Sequence, residues 1–149
     1  MIHLQRTEAT HPDFLHLVKA LDIDLAERDG PDHAFYAQFN TVEQIKHIMV
    51  AYEDQQAIGC GAIKPYDAQT CEIKRMYLLP AHRGKGVASQ VLNALEAWAK
   101  TLGFKKCILE TGYKQPEAIR LYEKNGYQRI TNYGQYAGVE NSLCFGKEI

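Results

Sequence analysis

Apolar residues along this chain change period several times, and each change marks an element. Between Ile2 and Arg6 they alternate with polar ones, the two-residue repeat of a short opening strand. From Asp13 to Glu27 the repeat lengthens: Phe14, Leu17, Val18, Leu21 and Leu25 recur every three or four residues. That spacing predicts an amphipathic helix, with Asp13 as its N-cap and Asp29-Gly30-Pro31 as its stop. Asp32 to Asn40 is aromatic-rich without period, and Thr41-Val42-Glu43-Gln44 looks like a helix start, Thr41 capping and Gln44 three residues on. Three apolar runs follow, His47 to Tyr52, Ala57 to Pro65 and Cys71 to Leu79, separated by polar turns at Glu53-Asp54-Gln55 and Tyr66-Asp67-Ala68-Gln69. They read as an antiparallel meander.

Gly84-Lys85-Gly86 opens a second helix, whose residues Val87, Val91, Leu92, Leu95, Trp98, Ala99 and Leu102 form one apolar stripe ended by Gly103. Cys107 to Glu110 is a short strand. Pro116 to Asn125 is a helix with proline in its first turn and Gly126 behind it, and Tyr127 to Ile130 and Ser142 to Phe145 are closing strands. Strands in meander, then strand-helix-strand, predict an α/β fold of the α+β kind: a mixed, mostly antiparallel sheet with helices on both faces. With 149 residues and no linker, repeat or low-complexity tract, residues 1–149 are expected to form a single domain.

Composition narrows the function. Seventeen Lys plus Arg against eighteen Asp plus Glu leave a net charge of -1, so no global field favours nucleic acid or an anionic membrane. The longest apolar run, Ile48 to Tyr52, is far below a bilayer span, and Met1 to Arg6 lacks the apolar core of a signal peptide, which points to a cytoplasmic protein. Cys60, Cys71, Cys107 and Cys144 are widely spaced and read as reduced, half-buried thiols; the six histidines show no metal-binding spacing, so no metal is expected.

The candidate chemistry lies in Pro80-Ala81-His82-Arg83-Gly84-Lys85-Gly86-Val87-Ala88, between a strand and a long helix. Two glycines let backbone approach a ligand, the first helical amides point outward, and Arg83 and Lys85 add charged donors: a cradle for a pyrophosphate, or else a glycine turn with solvated side chains. Neither nucleotide fingerprint fits. Lys85 is followed by Gly86 where a P-loop needs Ser or Thr, and Ser89 stands where the dinucleotide pattern needs its third glycine.

The segment resembles the acetyl-CoA signature of the GCN5-related N-acetyltransferases (GNAT): Gln or Arg, two residues, Gly, one residue, then Gly or Ala, filled here by Arg83, Gly86 and Ala88. Glu72 to Leu78 is similar to that family's fourth strand, and Ala118-Ile119-Arg120-Leu121-Tyr122-Glu123-Lys124-Asn125-Gly126-Tyr127 to its late AxxLYxxxGF segment. The resemblance spans roughly Ala57 to Phe145. It implies the GNAT acyl-CoA N-acyltransferase fold, acetyl-CoA as co-substrate, and a homodimer by family habit. It also implies that the backbone of Met76, Tyr77 and Leu78 holds the pantetheine arm, and that Arg83, Gly84, Lys85, Gly86, Val87 and Ala88 wrap the pyrophosphate. Gln115 stands where many relatives carry an asparagine that touches the cofactor.

The implied reaction needs a deprotonated amine and a protonated thiol leaving group. Tyr122 matches the family's general acid and Glu72 its general base, with Glu110 in reserve; the alternatives are a tyrosine packed beside Ile119 and a strand carboxylate paired with Lys74 or Arg75. One of Lys74 and Arg75 could bind a carboxylate on the acceptor, or either could form an outward salt bridge. By family analogy the Asp29 to Asn40 segment and the Tyr133 to Gly138 loop frame the acceptor. Their aromatics Phe35, Tyr36, Phe39, Tyr133 and Tyr136 suit a small amine or simply pack together. The expectation is an acetyl-CoA-dependent N-acetyltransferase acting on a small-molecule primary amine by direct attack in a ternary complex. The alternatives are a protein or peptide acetyltransferase and a non-catalytic CoA-binding regulatory module.

Overall fold

A computed structural model describes residues 1–32 and 45–149. The expected helix start at Thr41 and the aromatics Phe35, Tyr36 and Phe39 lie outside the described residues.

Seven strands form one sheet: β1 (Ile2–Thr7), β2 (His47–Glu53), β3 (Gln56–Pro65), β4 (Thr70–Leu78), β5 (Lys106–Gly112), β6 (Gln128–Ile130) and β7 (Ser142–Glu148), in the order β1-β2-β3-β4-β5-β7-β6. Only β4 and β5 run parallel, joined through the helix α2 (Val87–Thr101); every other pair is antiparallel. The helix α1 (Pro12–Asp29) covers one face, while α2 and α3 (Pro116–Lys124) pack on the other. Strand alternation in β2 shows how one segment serves both: Ile48 and Val50 bury against Phe14, Leu17 and Val18 of α1, while Met49 and Ala51 join Val91, Leu92 and Leu95 of α2. The mixed sheet read from the strand order is therefore present, and so are helices on both faces.

Local departures have simple causes. Asp13 is not the cap of α1. His11 is, its Nδ1 accepting from the Asp13 amide at 3.1 Å, because Pro12 occupies the first helical position and moves the start back. The Asp13 carboxylate, freed from capping, accepts instead from the Tyr52 hydroxyl at 2.7 Å, which with burial pushes that phenol up to about 12. The cysteines are free as expected, but all four are fully buried.

Two irregularities of β4 build the site. Cys60 of β3 faces Tyr77 and Ala62 faces Lys74, so Arg75 and Met76 together oppose the single Gly61. This bulge holds Arg75 at φ +57°, a left-handed conformation that costs a residue with a side chain roughly 1–2 kcal/mol. Gly61 is needed opposite it: a Cβ there would lie 2.5 Å from Met76 Sδ and 2.7 Å from Leu95 Cδ1. The second irregularity is a splay. β4 and β5 pair only from Thr70 to Glu72 against Lys106 to Ile108, after which they part, β4 running on to Leu78 against β3 and β5 to Gly112 against β7. The sheet opens into a V at its centre.

Candidate active site

On the open side of the V, β4 still pairs β3 through Tyr77 and Leu78 but, among the described residues, has no strand on its other edge. Its outward amides and carbonyls are left to bind an extended chain. Beyond Leu78 a short 3-10 turn, Pro80–His82, leads to Arg83, whose Nε donates to the Leu78 carbonyl at 2.9 Å and whose guanidinium stands 5.7 Å from the Tyr77 ring centre. Arg83 thus holds the strand end to the helix start. Gly84 (φ +83°) and Gly86 (φ +81°) turn the chain into α2, where among the described residues no side chain caps the first amides and no acidic residue sits in the first turn. The positive end of a 15-residue helix thus faces the groove without an acidic residue in its own first turn, a setting for phosphate.

That groove, of about 460 Å³, is lined by nine of the ten residues expected at the cofactor: Met76, Tyr77, Leu78, Arg83, Gly84, Gly86, Val87, Ala88 and Gln115. Lys85, the tenth, is exposed at the tip of the turn and does not line it. The groove meets a second, smaller cavity of about 100 Å³ between α1 and the splayed strands. Leu21, Met76, Gln115, Ala118 and Tyr122 border both, so this is where two bound molecules would touch.

Tyr122 is held at that junction by its surroundings. It is 6% exposed, its ring packs edge-on to Tyr127 at 5.8 Å, and Asn125 ties the end of α3 to Ser89 of α2 at 3.1 Å. Tyr127 in turn donates to Glu96 at 2.8 Å, and Glu96 also takes Lys147 at 2.9 Å, which anchors the chain behind α3. Burial first, then the nearby Glu110 carboxylate, raise the Tyr122 phenol well above its ordinary value, so it remains a proton donor at neutral pH.

The two carboxylates proposed from the sequence occupy different places. Glu72, 6% exposed, accepts from the Tyr133 hydroxyl at 2.6 Å and has Lys74 Nζ 4.0 Å away; it does not line the cavity. Glu110 does line it. Desolvation pushes the Glu110 carboxyl up to about 7, a hydrogen bond from Ser142 and the charge of Lys74 pull it back, and Asp29 and Glu72 push it further. One oxygen, Oε2, has no partner among the described residues. The reserve candidate thus has the position and proton affinity of a base working near neutral pH.

Lys74 and Arg75 also line the cavity. Because the bulge adds a residue, both side chains turn to the α1 side, where Arg75 Nη2 donates to Asp22 Oδ1 at 2.6 Å. Of the expected acceptor-side aromatics, Tyr136 is buried and lines the cavity, whereas Tyr133 packs between Tyr66 and Tyr136 and bonds Glu72. Asp29, buried at the end of α1, lines the cavity too; it opens the segment expected to frame the acceptor, although only the aromatics of that segment were named for the role. Among the described residues no group of His, Cys, Asp and Glu could hold a metal ion, and no helix is long and apolar enough to cross a membrane.

Comparison with known proteins places this geometry. The model of the acetyltransferase (GNAT) family matches residues 13–127. The uncharacterized N-acetyltransferase YjgM of Escherichia coli (strain K12) is 41% identical over 85 residues, 55% of this chain and 50% of that protein, so the match spans half the relative's length. A solved Klebsiella pneumoniae chain assigned as an acyl-CoA N-acyltransferase is 29% identical with a TM-score of 0.83, covering 99% of this chain and 97% of that one. The fold is also shared with a GNAT family acetyltransferase from Elizabethkingia anophelis solved with acetyl-CoA bound, at 21% identity, a TM-score of 0.72 and coverage of 99% and 98%.

Proposed function

Since the chain belongs to the GNAT family of acetyltransferases, we propose that it transfers acetyl from acetyl-CoA to the primary amine of a small molecule, by direct attack within a ternary complex. The observation that carries the reading is the junction itself: a groove ending at the start of α2 meets a smaller cavity at Tyr122, with Glu110 in the cavity wall.

Acetyl-CoA would supply a thioester, whose C–S bond breaks as the amine nitrogen bonds the carbonyl carbon. The protein's part is positioning and proton transfer. The amides of the Gly84 to Ala88 turn would hold the pyrophosphate, and the unpaired edge of Met76 to Leu78 the pantetheine arm, which leads the thioester toward Tyr122. Glu110 would take a proton from the incoming ammonium, directly or through water, and Tyr122 would give one to the departing sulfur. The nitrogen would lose its second proton once the new bond forms, and that proton would restore Tyr122, so each turnover releases one proton to solvent, by way of Glu110. Glu72 serves here as a positioning residue: its bond to Tyr133 steadies the loop that carries Tyr136 into the cavity, and its charge holds Lys74.

The cavity of about 100 Å³ is well under the roughly 300–1,000 Å³ of sites for drug-sized ligands, which supports a small acceptor over a polypeptide. The reading includes a cytoplasmic setting, supported by four free buried thiols, and a homodimer, carried over from the family resemblance and checked by sedimentation. The deciding experiment follows CoA thiol release against panels of amino acids, polyamines and peptides. Release with small amines is expected. Release with peptides alone would make the chain a protein acetyltransferase, and CoA binding without release a non-catalytic module. A Glu72→Gln enzyme should keep its pH profile, whereas Glu110→Gln should lose it; the reverse would return the base to Glu72.

A further inference from the structure

The charges around the acceptor cavity are not balanced alike. Lys74 has Glu72 4.0 Å away, and its charge also stabilises the Glu110 carboxylate, so its positive charge is answered by two neighbours. Arg75 is different. Its side chain is 2% exposed, yet only Nη2 is engaged, by an Asp22 that is itself half exposed; Nε and Nη1 have no hydrogen-bond partner among the described residues. A buried guanidinium with unspent donors is costly, and if the pair served only to hold α1 to the sheet, apolar residues would do so at less expense. The chain also keeps Arg75 in a left-handed conformation at a bulge, the kind of strain that persists where a side chain must point one way.

We infer that the acceptor amine carries a carboxylate and that Arg75 binds it, making the substrate a small amino acid or amino-acid-like zwitterion. This rests on the acetyl-transfer reading and names the substrate class of the same cavity. Both signs of charge are present in the wall: Glu110, whose charge reaches Tyr122 at the junction, suits the ammonium end, and Arg75 suits the carboxylate end. A cavity of about 100 Å³ is in keeping with a small acceptor of this kind.

The test uses the whole chain and matched acceptors: amino acids, their amides, and the corresponding amines without the carboxyl group. Wild type should acetylate the acids with kcat/KM at least tenfold above both counterparts. Arg75→Gln should erase that preference through KM while CoA affinity is unchanged. Asp22→Asn, which releases Arg75 without deleting it, should keep or sharpen the preference. Amides or simple amines turned over as well as the acids would overturn the inference, as would a loss in Asp22→Asn equal to that in Arg75→Gln, since the ion pair would then be scaffolding. Should Arg75→Gln fail to fold, the wild-type and Asp22→Asn comparisons decide. Calorimetry of CoA-saturated protein with N-acetyl amino acids and their amides reads the same site without turnover. Acid-selective binding with no thiol release on any amine would overturn the transfer reading and uphold the carboxylate site; rapid transfer to carboxylate-free amines would do the opposite.

Discussion

Glu110→Gln separates what this residue does for the reaction from what it costs the fold. The carboxyl group moves from its ordinary 4.5 to about 7 on folding, chiefly by desolvation. The folded state therefore binds its proton more tightly than the unfolded chain. Below about pH 4.5 the group is neutral in both states and contributes no difference. As pH rises from there through 7 the unfolded chain ionises freely while the folded protein resists, so stability falls, and above about pH 8 the whole penalty is felt. At 1.36 kcal/mol for each tenfold change in proton affinity, that penalty is about 3 kcal/mol. Glutamine keeps the shape and an oxygen for Ser142 but cannot ionise. The variant should match wild type in urea unfolding at pH 4.5 and exceed it by about 2–3 kcal/mol at pH 8.5, while acetyl transfer falls at least tenfold. Greater stability with lost activity is the signature of a group kept buried for its chemistry. Equal stability at both pH values, or a Gln variant less stable at pH 8.5, would show that Glu110 is solvated and would remove the basis for calling it the base.

Tyr122→Phe should lower kcat at least tenfold, leaving CoA affinity and thermal stability nearly unchanged, because only the proton donor is removed; stopped assays of thiol release with parallel CoA titrations check it. Gly86→Asp should weaken CoA binding at least tenfold, seen by calorimetry, since an anion enters the cradle at a position of φ +81°. Gly61→Ala should cost about 1–3 kcal/mol in denaturant unfolding through its clash with Met76 and Leu95, and should lower activity with it by shifting the bulge that carries Arg75.

Local features of the chain were decided by sequence. The alternation in Ile2 to Arg6, the stripe from Val87 to Leu102 and the glycines at 84 and 86 act within a few residues of themselves. The strands, the long helix and the glycine turn before it could therefore be read directly, and the structure has them with boundaries shifted by three residues at most. The Arg83-Gly-Lys-Gly-Val-Ala segment likewise carries its own geometry, because positive φ and free helical amides are properties of the turn alone.

The different placement of Glu72 and Glu110 had no such local trace. Both interrupt apolar strands, and nothing in the neighbouring residues separates them. Their difference comes from register: Glu72 pairs Ile108 in the last rung of the parallel ladder, under Tyr133, whereas Glu110 lies two residues past that rung, where the strands have parted and the cavity begins. Arg75 depends in the same way on Gly61, fourteen residues upstream, since a bulge exists only between two paired strands. Desolvation, which gives Glu110 its proton affinity and leaves Arg75 donors unspent, is produced by segments distant in sequence closing over one point.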